Sequence, residues 1–315
     1  MADIDGVKKS KEFYTDTPQE VPKFFLKGSH QYDWGLQNRL AKVLNPESGR
    51  TIMLAFDHGY FMGPTTGLER VDQTILPLEP HCDCLMLTRG IQRSIIPAST
   101  QKAIALRASG GTSMVSTQDE WEGSLGDDVF KMSRPGYEPL SNEHLAVNIE
   151  EAIRLNASVL AVQVFIGSQY ERQSLQNLTN LVDQANRYGI AVMGVTAVGR
   201  AMARTPEYFR HATRIMAELG CHLVKCYHTD EEFDTVTSCC PVPIVIAGGK
   251  KRPERDALQM AYEACEQGAS GVDMGRNIFQ AEAPVPMMKA VRGVVHEGMK
   301  PDDAFELYNS LKAEA

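Results

Sequence analysis

Short apolar runs recur along the chain, and each is followed by a polar turn and then by a segment with helical spacing. The runs do not alternate apolar with polar residues, so they are typical of strands that are covered on both faces. There are eight: "TIMLAF" from Thr51, "DCLMLT" from Asp83, "AIALRA" from Ala103, "VLAVQVFIG" from Val159, "IAVMGVT" from Ile190, "HLVKCY" from His222, "PIVIAGG" from Pro243 and "SGVDMG" from Ser270.

The segments between these runs have the spacing of amphipathic helices. "PEYFRHATRIMAELG" places Phe209 and Met216 on one stripe and ends at Gly220, a frequent helix stop. "TDEEF" predicts a capping box between Thr229 and Glu232 at the start of the next helix. Before the first strand, the spacing predicts a helix over 35–44 that stops ahead of Pro46.

Eight strand–helix units predict an α/β fold, a closed (β/α)8 or TIM barrel, over 51–315 as a single domain. A doubly wound open sheet is the alternative, because alternation alone does not establish closure. Residues 1–50 then form an N-terminal extension. The Gly-, Ser- and Asp-rich stretch at 116–141 lengthens the connection between the third and fourth strands, and we interpret it as a long excursion from the barrel.

The composition of the chain argues against several classes of binding partner. The formal net charge is -8, which argues against a nucleic acid or an anionic membrane surface as partner. No apolar run approaches the roughly 18 residues of a membrane span, and the first residues lack the apolar core of a secretory signal. The seven cysteines form no paired C-x-x-C array of the zinc type. We therefore expect reduced thiols, no metal site and a cytoplasmic location.

Lys225 interrupts the sixth apolar run, "HLVKCY". Burying an unpaired ammonium is costly, so a lysine in such a strand needs a partner or loses its proton. If the side chain points into the barrel, a desolvated amine becomes a nucleophile for carbonyl groups. If it points outward, it pairs with a helix carboxylate or reaches solvent. The sequence does not fix the direction.

Other polar residues follow the ends of predicted strands, where barrel enzymes place their active sites. Asp57 and His58 follow the first strand, and a carboxylate beside an imidazole suits proton transfer, although Asp-x-Gly is also common in turns. Arg89 and Arg107 follow the second and third strands, and we interpret both as structural.

Two glycine-rich turns follow the seventh and eighth strands. "VIAGGKK" contains Gly248 and Gly249, and "VDMGRN" contains Gly275 and Arg276. Glycines allow backbone N–H groups to approach a phosphate, and these two loops form the usual phosphate site of the barrel. Arg276 adds a guanidinium for a bidentate contact. The pair of turns predicts a site for a phosphorylated ligand.

These motifs together resemble one family. "AFDHGYFMGPTTGLER", "LVKCY", "PIVIAGGKK" and "GASGVDMGRNIF" are similar to the class I aldolase superfamily of deoxyribose-phosphate and archaeal fructose-bisphosphate type, over about 30–315. Within it, the chain most resembles a branch of acyltransferases, or thiolases, that act in autoinducer-2 degradation. In that resemblance Lys225 falls on the catalytic lysine and Asp57 on the acid/base position, followed by His58. In the same resemblance, the residues that fall on the phosphate-binding loops of the family are Gly248, Gly249, Gly275 and Arg276.

The resemblance implies a reaction. The acetyl group of a phosphorylated hydroxydiketone passes to coenzyme A, a co-substrate, and leaves dihydroxyacetone phosphate; no cofactor is bound permanently. Lys225 then acts either as an imine or as an ammonium acid, and either Asp57 or His58 moves the proton. The resemblance also implies a ring-shaped homo-oligomer, with a decamer as the suggested size. A class I Schiff-base aldolase and a non-catalytic phospho-ligand-binding protein are the alternatives.

The chain departs from the aldolase pattern at two places. Aldolase relatives carry a tyrosine proton donor after the fifth strand, where this chain has Thr196. A threonine hydroxyl is a poor acid, so this difference disfavours aldol cleavage and favours the thiolase branch. The excursion at 116–141 is longer than expected for that branch and lies on the active-site side of the third strand.

Overall fold

The computed structural model of this chain describes residues 18, 24–111, 142–197 and 204–314. Eight parallel strands close into a barrel, so the predicted (β/α)8 architecture is confirmed and the open sheet is not formed. The excursion at 116–141 lies outside the described residues. The strands are β1 (Thr51–Ala55), β2 (Cys84–Leu87), β3 (Ala103–Arg107), β4 (Ser109–Gly110), β5 (His144–Leu145), β6 (Val159–Val164), β7 (Ala191–Thr196), β8 (Leu223–Tyr227), β9 (Ile244–Ala247) and β10 (Gly271–Met274).

The barrel order is β1-β10-β9-β8-β7-β6-β3-β2, and β4 pairs with β5 in a separate antiparallel ribbon. A 3₁₀ helix spans Glu79–His81. The described α-helices are α1 (Trp34–Val43), α2 (Gly59–Met62), α3 (Val71–Thr74), α4 (Arg89–Ile95), α5 (Ile149–Arg154), α6 (Glu171–Asn186), α7 (Pro206–Glu218), α8 (Phe233–Cys239), α9 (Glu254–Glu266), α10 (Arg276–Phe279), α11 (Pro284–Glu297) and α12 (Pro301–Ala313).

Strand side chains alternate between two buried clusters, which explains the unbroken apolar runs. The outer cluster, which includes Leu54 and Val224, packs against the helices. The inner cluster, which includes Met53, Met193 and Val245, fills the barrel. Because successive residues point to opposite faces, the odd-numbered positions of β8 and β10 face inward. Lys225 and Asp273 occupy two of these inward positions.

Helix α1 closes the amino-terminal end of the barrel. Asp33 caps it by accepting a hydrogen bond from the backbone N–H of Leu36, and Leu40 belongs to the inner cluster with the inward strand residues. Arg39 donates to the carbonyl of Gly189 just before β7. This part of the N-terminal extension therefore forms the floor of the barrel and shields its interior from water.

The helix after β8 starts later than predicted. The expected capping box of Thr229 and Glu232 is wrong, because α8 begins at Phe233 and Glu232 adopts a left-handed conformation with φ of 54°. The Thr229 hydroxyl instead donates to the carbonyl of Glu231. All seven cysteines are free. None of the described helices is both long and apolar enough to cross a membrane.

Candidate active site

Lys225 points into the barrel, which is one of the two directions that the sequence left open. Its Nζ lies 2.8 Å from Oδ2 of Asp273 on β10, and 3.4 Å from Sδ of Met86 on β2. The lysine side chain is 11% exposed and the aspartate side chain is fully buried. The amine is therefore enclosed near the carboxyl-terminal end of the barrel, with one carboxylate as its counter-ion.

Asp273 was not among the site residues predicted from the sequence. It lies inside the apolar run "SGVDMG", and an acid within a buried strand is the same signal that drew attention to Lys225. Both residues are third in their strands and both face inward, two strands apart in the barrel. Burial raises the pKa of Asp273, and the Lys225 ammonium offsets part of that rise.

Asp57 forms a second buried ion pair. Its Oδ2 lies 3.1 Å from Nε of Arg107, at the end of β3, and both side chains are almost completely buried. Burial alone would raise the pKa of Asp57, but Arg107, with smaller contributions from His58 and Lys225, holds it below the usual value. Because a guanidinium does not lose its proton in this range, Asp57 is held as a carboxylate.

A polar network fixes Arg107. Its Nη2 donates to Oε1 of Gln163 at 2.6 Å and to the Tyr60 hydroxyl at 2.7 Å. Tyr60 and Ser109 in turn donate to the two carboxylate oxygens of Glu143, each at 2.5 Å. The sequence interpretation of Arg107 as structural is incomplete, because the residue also lines the cavity that contains Lys225.

His58 lies in an apolar environment beside this pair. Its ring contacts Phe61 and Phe279, with centroids 6.0 and 6.2 Å away, and Nδ1 has no hydrogen-bond partner among the described residues. Burial lowers its pKa to about 4, against the opposing effect of the Asp57 carboxylate. His58 is therefore neutral at pH 7.

The two glycine turns meet at the same cavity as Lys225. At Gly275 a Cβ atom would lie 2.1 Å from the carbonyl oxygen of Ala55 and 3.0 Å from Cε1 of His58, so any side chain would disrupt the turn. Gly249 has a positive φ of 68°, which glycine adopts without strain. Nε of Arg276 is buried without a partner among the described residues. The turns thus bring backbone without side chains and one unpartnered guanidinium nitrogen to the cavity.

Asn277 holds the two turns together. Its amide nitrogen donates to the carbonyl of Gly248 at 2.6 Å, and its amide oxygen accepts from the backbone N–H of Arg252 at 2.8 Å. The side chain is completely buried. Asn277 therefore ties the turn after β9 to the turn after β10, a role that the sequence did not suggest.

Thr196 ends β7 and is among the residues that line the cavity with Lys225, but the alternation of the strand does not direct its side chain at the amine. Val195 belongs to the inner cluster, so alternation directs the side chain of Thr196 to the outer face of β7. Its hydroxyl is buried without a hydrogen-bond partner in the described part of the chain. The residue that faces the interior beside Lys225 is an aliphatic one.

One cavity unites these groups. Among the residues that line it are Asp57, His58, Met86, Arg107, Gln163, Val195, Lys225, Gly248, Gly249, Asp273, Gly275 and Arg276. Two buried carboxylates with opposite pKa shifts and one amine can perform carbonyl chemistry with proton transfer, and the guanidinium of Arg276 beside the glycine turns would suit an anionic group of a substrate. Within the described ranges, no group of three or more His, Cys, Asp or Glu side chains could hold a metal ion.

Comparison with solved structures gives the same fold. A crystal structure of an archaeal fructose 1,6-bisphosphate aldolase matches with a TM-score of 0.69 and 24% identity, over 84% of this chain and 100% of the other. The fructose-bisphosphate aldolase from Slackia heliotrinireducens matches with a TM-score of 0.71 and 20% identity, over 88% and 90% of the two chains. At these identities the likeness concerns the fold.

Sequence relatives are much more similar. An uncharacterized aldolase of Pasteurella multocida is 54% identical over 98% of this chain and 99% of its own length. A Photorhabdus laumondii protein named 3-hydroxy-5-phosphonooxypentane-2,4-dione thiolase is 52% identical over 99% of this chain and 100% of its own. An Escherichia coli protein of the same name is 51% identical over equal shares.

The family comparison covers most of the barrel. The DeoC/LacD family of aldolases matches residues 51–281, which run from the first strand past the two glycine turns. The match includes both ion pairs, both glycine turns and Lys225. With the relatives above, it identifies the chain as a member of the DeoC/LacD aldolase family.

Proposed function

We propose that this enzyme is a 3-hydroxy-5-phosphonooxypentane-2,4-dione thiolase, which transfers the acetyl group of its substrate to coenzyme A and releases dihydroxyacetone phosphate. Relatives with that name match nearly the whole chain at 51–53% identity. The structural observation that carries the proposal is the enclosure of the Lys225 amine in the cavity that the two glycine turns border.

The phosphate of the substrate binds at the glycine turns in this proposal. Backbone N–H groups at Gly248, Gly249 and Gly275 approach its oxygens, and Arg276 supplies a positive charge. The buried Nε of Arg276 gains a partner when an anion is bound. With the phosphate held there, the carbon chain extends over Lys225.

Lys225 supplies the electron sink. Its amine condenses with the ketone nearest the phosphate, and one water leaves as the imine forms. The coenzyme A thiolate adds to the acetyl carbonyl, and the bond between that carbon and the hydroxyl-bearing carbon breaks. The electron pair of this bond moves onto the protonated imine and gives an enamine and acetyl-CoA. The enamine takes up a proton on carbon, and hydrolysis releases dihydroxyacetone phosphate and free Lys225.

We infer that Asp57 or His58 moves the protons. Asp57 is held as an anion by Arg107, and His58 is held neutral by burial. Either group can accept the proton of the coenzyme A thiol and return it to the enamine carbon, so that no net proton is consumed.

We also propose that the enzyme works in the cytoplasm and self-associates. Seven free cysteines, most of them buried, suit a reducing compartment. Phe25 and Trp34 lie near the floor of the barrel with 78% and 80% of their surfaces exposed, which favours burial against another copy. Light scattering of the purified protein measures the assembly directly.

The function is tested by incubating the protein with the phosphorylated diketone and coenzyme A. We expect acetyl-CoA and dihydroxyacetone phosphate in equal amounts, as measured by chromatography. If dihydroxyacetone phosphate forms at the same rate without coenzyme A, the enzyme is a lyase and the proposal is wrong.

Replacement of the lysine gives a matched variant. Lys225→Met keeps the length of the side chain and removes the amine, so we expect turnover to fall by at least about 10⁴-fold with the fold intact. Circular dichroism checks the fold. Near-normal acetyl-CoA formation by this variant would reject the assignment of Lys225.

A further inference from the structure

Asp273 contacts Lys225 and has no role in the reaction proposed above. Lys225 must lose a proton before it can attack a carbonyl, and a proton acceptor has to lie within hydrogen-bond reach. Oδ2 of Asp273 lies 2.8 Å from Nζ of Lys225, and the aspartate side chain is fully buried. The acceptor is therefore already in place and is shielded from bulk water.

We propose that Asp273 takes the proton of Lys225 and returns it to the departing oxygen of the substrate carbonyl, which makes it a catalytic residue for imine formation. This inference rests on the proposed function, because it assumes that Lys225 forms an imine.

Asp57 and Asp273 pair with different cations, and this difference gives the two carboxylates different roles. Asp57 pairs with Arg107, which stays charged, so its pair cannot become neutral by moving a proton. Asp273 pairs with an amine, and a buried ammonium–carboxylate pair can relax to a neutral amine and a neutral acid, which burial favours. The charged groups that face Asp273 are Lys225 on β8, Asp57 after β1 and Arg107 on β3. The raised pKa of Asp273 agrees with this role.

The proton movements balance without an outside acid or base. Asp273 accepts one proton from the Lys225 ammonium, and the free amine adds to the ketone carbon. A second amine proton passes to the former carbonyl oxygen and makes it a hydroxyl. Asp273 then protonates this hydroxyl, the carbon–oxygen bond breaks, and water leaves. The products are a protonated imine and the Asp273 carboxylate, which remains as its counter-ion.

The test uses dihydroxyacetone phosphate, whose ketone can form the imine without coenzyme A. Sodium cyanoborohydride reduces the imine, and intact-mass spectrometry follows the adduct across a range of pH. For Asp273→Asn we expect the rate of adduct formation to fall by at least about 100-fold at every pH, because the amide accepts no proton. Asp72→Asn removes an exposed carboxylate that pairs with Arg70 and serves as the charge-matched control.

If Asp273 served only as a fixed counter-ion of Lys225, this experiment would give a different result. If Asp273 acted only through its charge, the pH–rate profile of Asp273→Asn would shift along the pH axis with its maximum preserved. That outcome overturns the proposal. Asp273→Glu restores the carboxylate, and we expect it to recover part of the lost rate. Binding of dihydroxyacetone phosphate to the Lys225→Met/Asp273→Asn double variant, by calorimetry, checks that the pocket still folds without the aspartate.

Failure of this inference and failure of the proposed function are distinguishable. If the wild type makes acetyl-CoA but gives no reduced adduct, the thiolase function stands and the imine, with the role of Asp273, is wrong. If the wild type gives the adduct but no acetyl-CoA, the thiolase function is wrong and the comparison of Asp273→Asn with the wild type still tests the proton acceptor.

Discussion

Asp57 and Asp273 carry the same functional group in one cavity but have different partners. A guanidinium holds Asp57 as an anion, whereas Asp273 meets an amine that can give up its proton. The identity of the cation thus decides which carboxylate can take part in proton exchange with the nucleophile. At the scale of single residues, the site contains one fixed charge pair and one adjustable pair.

Thr196 provides a prediction at this scale. Since its side chain faces the outer side of β7 with an unpaired buried hydroxyl, we expect Thr196→Val to retain activity within about threefold. Removing an unsatisfied hydroxyl should leave the free energy of unfolding unchanged or raise it by about 1 kcal/mol. Acetyl-CoA formation and urea denaturation measure both. A loss of activity above about 100-fold would show that the hydroxyl acts in catalysis.

The individual residues were only partly predictable. The strand lysine, the Asp57–His58 pair and the glycine turns stand out because each breaks an apolar pattern or follows the end of a strand. Asp273 and Asn277 have equally unusual neighbours, but their importance depends on which atoms they reach across the barrel. Spacing along the chain contains no information about such contacts, because they join different strands and turns.

Secondary-structure elements followed the hydrophobic pattern closely. All eight predicted strands occur, and the predicted helix over 35–44 is observed as Trp34–Val43. The start of α8 was missed because Thr229 uses its hydroxyl within the loop and Glu232 turns left-handed before the helix begins. Local side-chain bonds at a loop compete with capping, and the sequence alone does not show which of the two forms.

The turn after β10 offers a prediction at the scale of elements. Gly275→Ala would force a Cβ to within 2.1 Å of the carbonyl oxygen of Ala55, which links this turn to the end of β1. We expect the unfolding free energy to fall by about 1–3 kcal/mol and kcat/KM to fall more than about tenfold, because this turn, which we propose binds the phosphate, has to move. Thermal melting and steady-state kinetics measure these changes.

A glycine without close neighbours provides the control for that variant. Gly90 lies in α4, and a Cβ there would meet no atom within 4 Å. We expect Gly90→Ala to melt within a few degrees of the wild type and to keep its activity. Equal stability and activity of Gly275→Ala and Gly90→Ala would contradict the close approach described at the turn.

The whole molecule should lose stability in mild acid. Burial lowers the pKa of both His58 and His222 to about 4, whereas an exposed histidine titrates near 6.5. Between these values the unfolded chain binds more protons than the folded one, so the free energy of unfolding decreases as the pH falls from 6.5 to 4. Each histidine accounts for up to about 3 kcal/mol of this decrease.

A variant isolates the contribution of His222. Its Nδ1 accepts a hydrogen bond from the backbone N–H of Val192 at 2.9 Å, and the amide oxygen of an asparagine can replace that acceptor. We therefore expect His222→Asn to show a shallower loss of stability between pH 6.5 and 4, measured by urea denaturation at several pH values. A slope identical to that of the wild type would show that His222 is not held neutral.

At the scale of the molecule, the closure of the sheet into a barrel was the property hardest to predict from the sequence. Repeated strand–helix units are compatible with open and closed sheets, and closure depends on pairing β1 with β10, whose residues are more than 200 positions apart. The floor formed by α1 was also unforeseen, because the pattern predicts a helix but not the surface it covers.

That floor makes the barrel a chamber with a closed end. In the part of the chain that the structure describes, a molecule reaches Lys225 from the opposite, carboxyl-terminal rim of the barrel. Both reactants therefore enter the cavity from the same side. In the proposed binding mode, the glycine turns hold the phosphate of the diketone at this rim, and the diketone lies deeper in the cavity than a molecule that enters after it. We therefore expect an ordered kinetic sequence, in which the acyl acceptor binds second and the thioester leaves before the triose phosphate, because α1 closes the other end of the barrel.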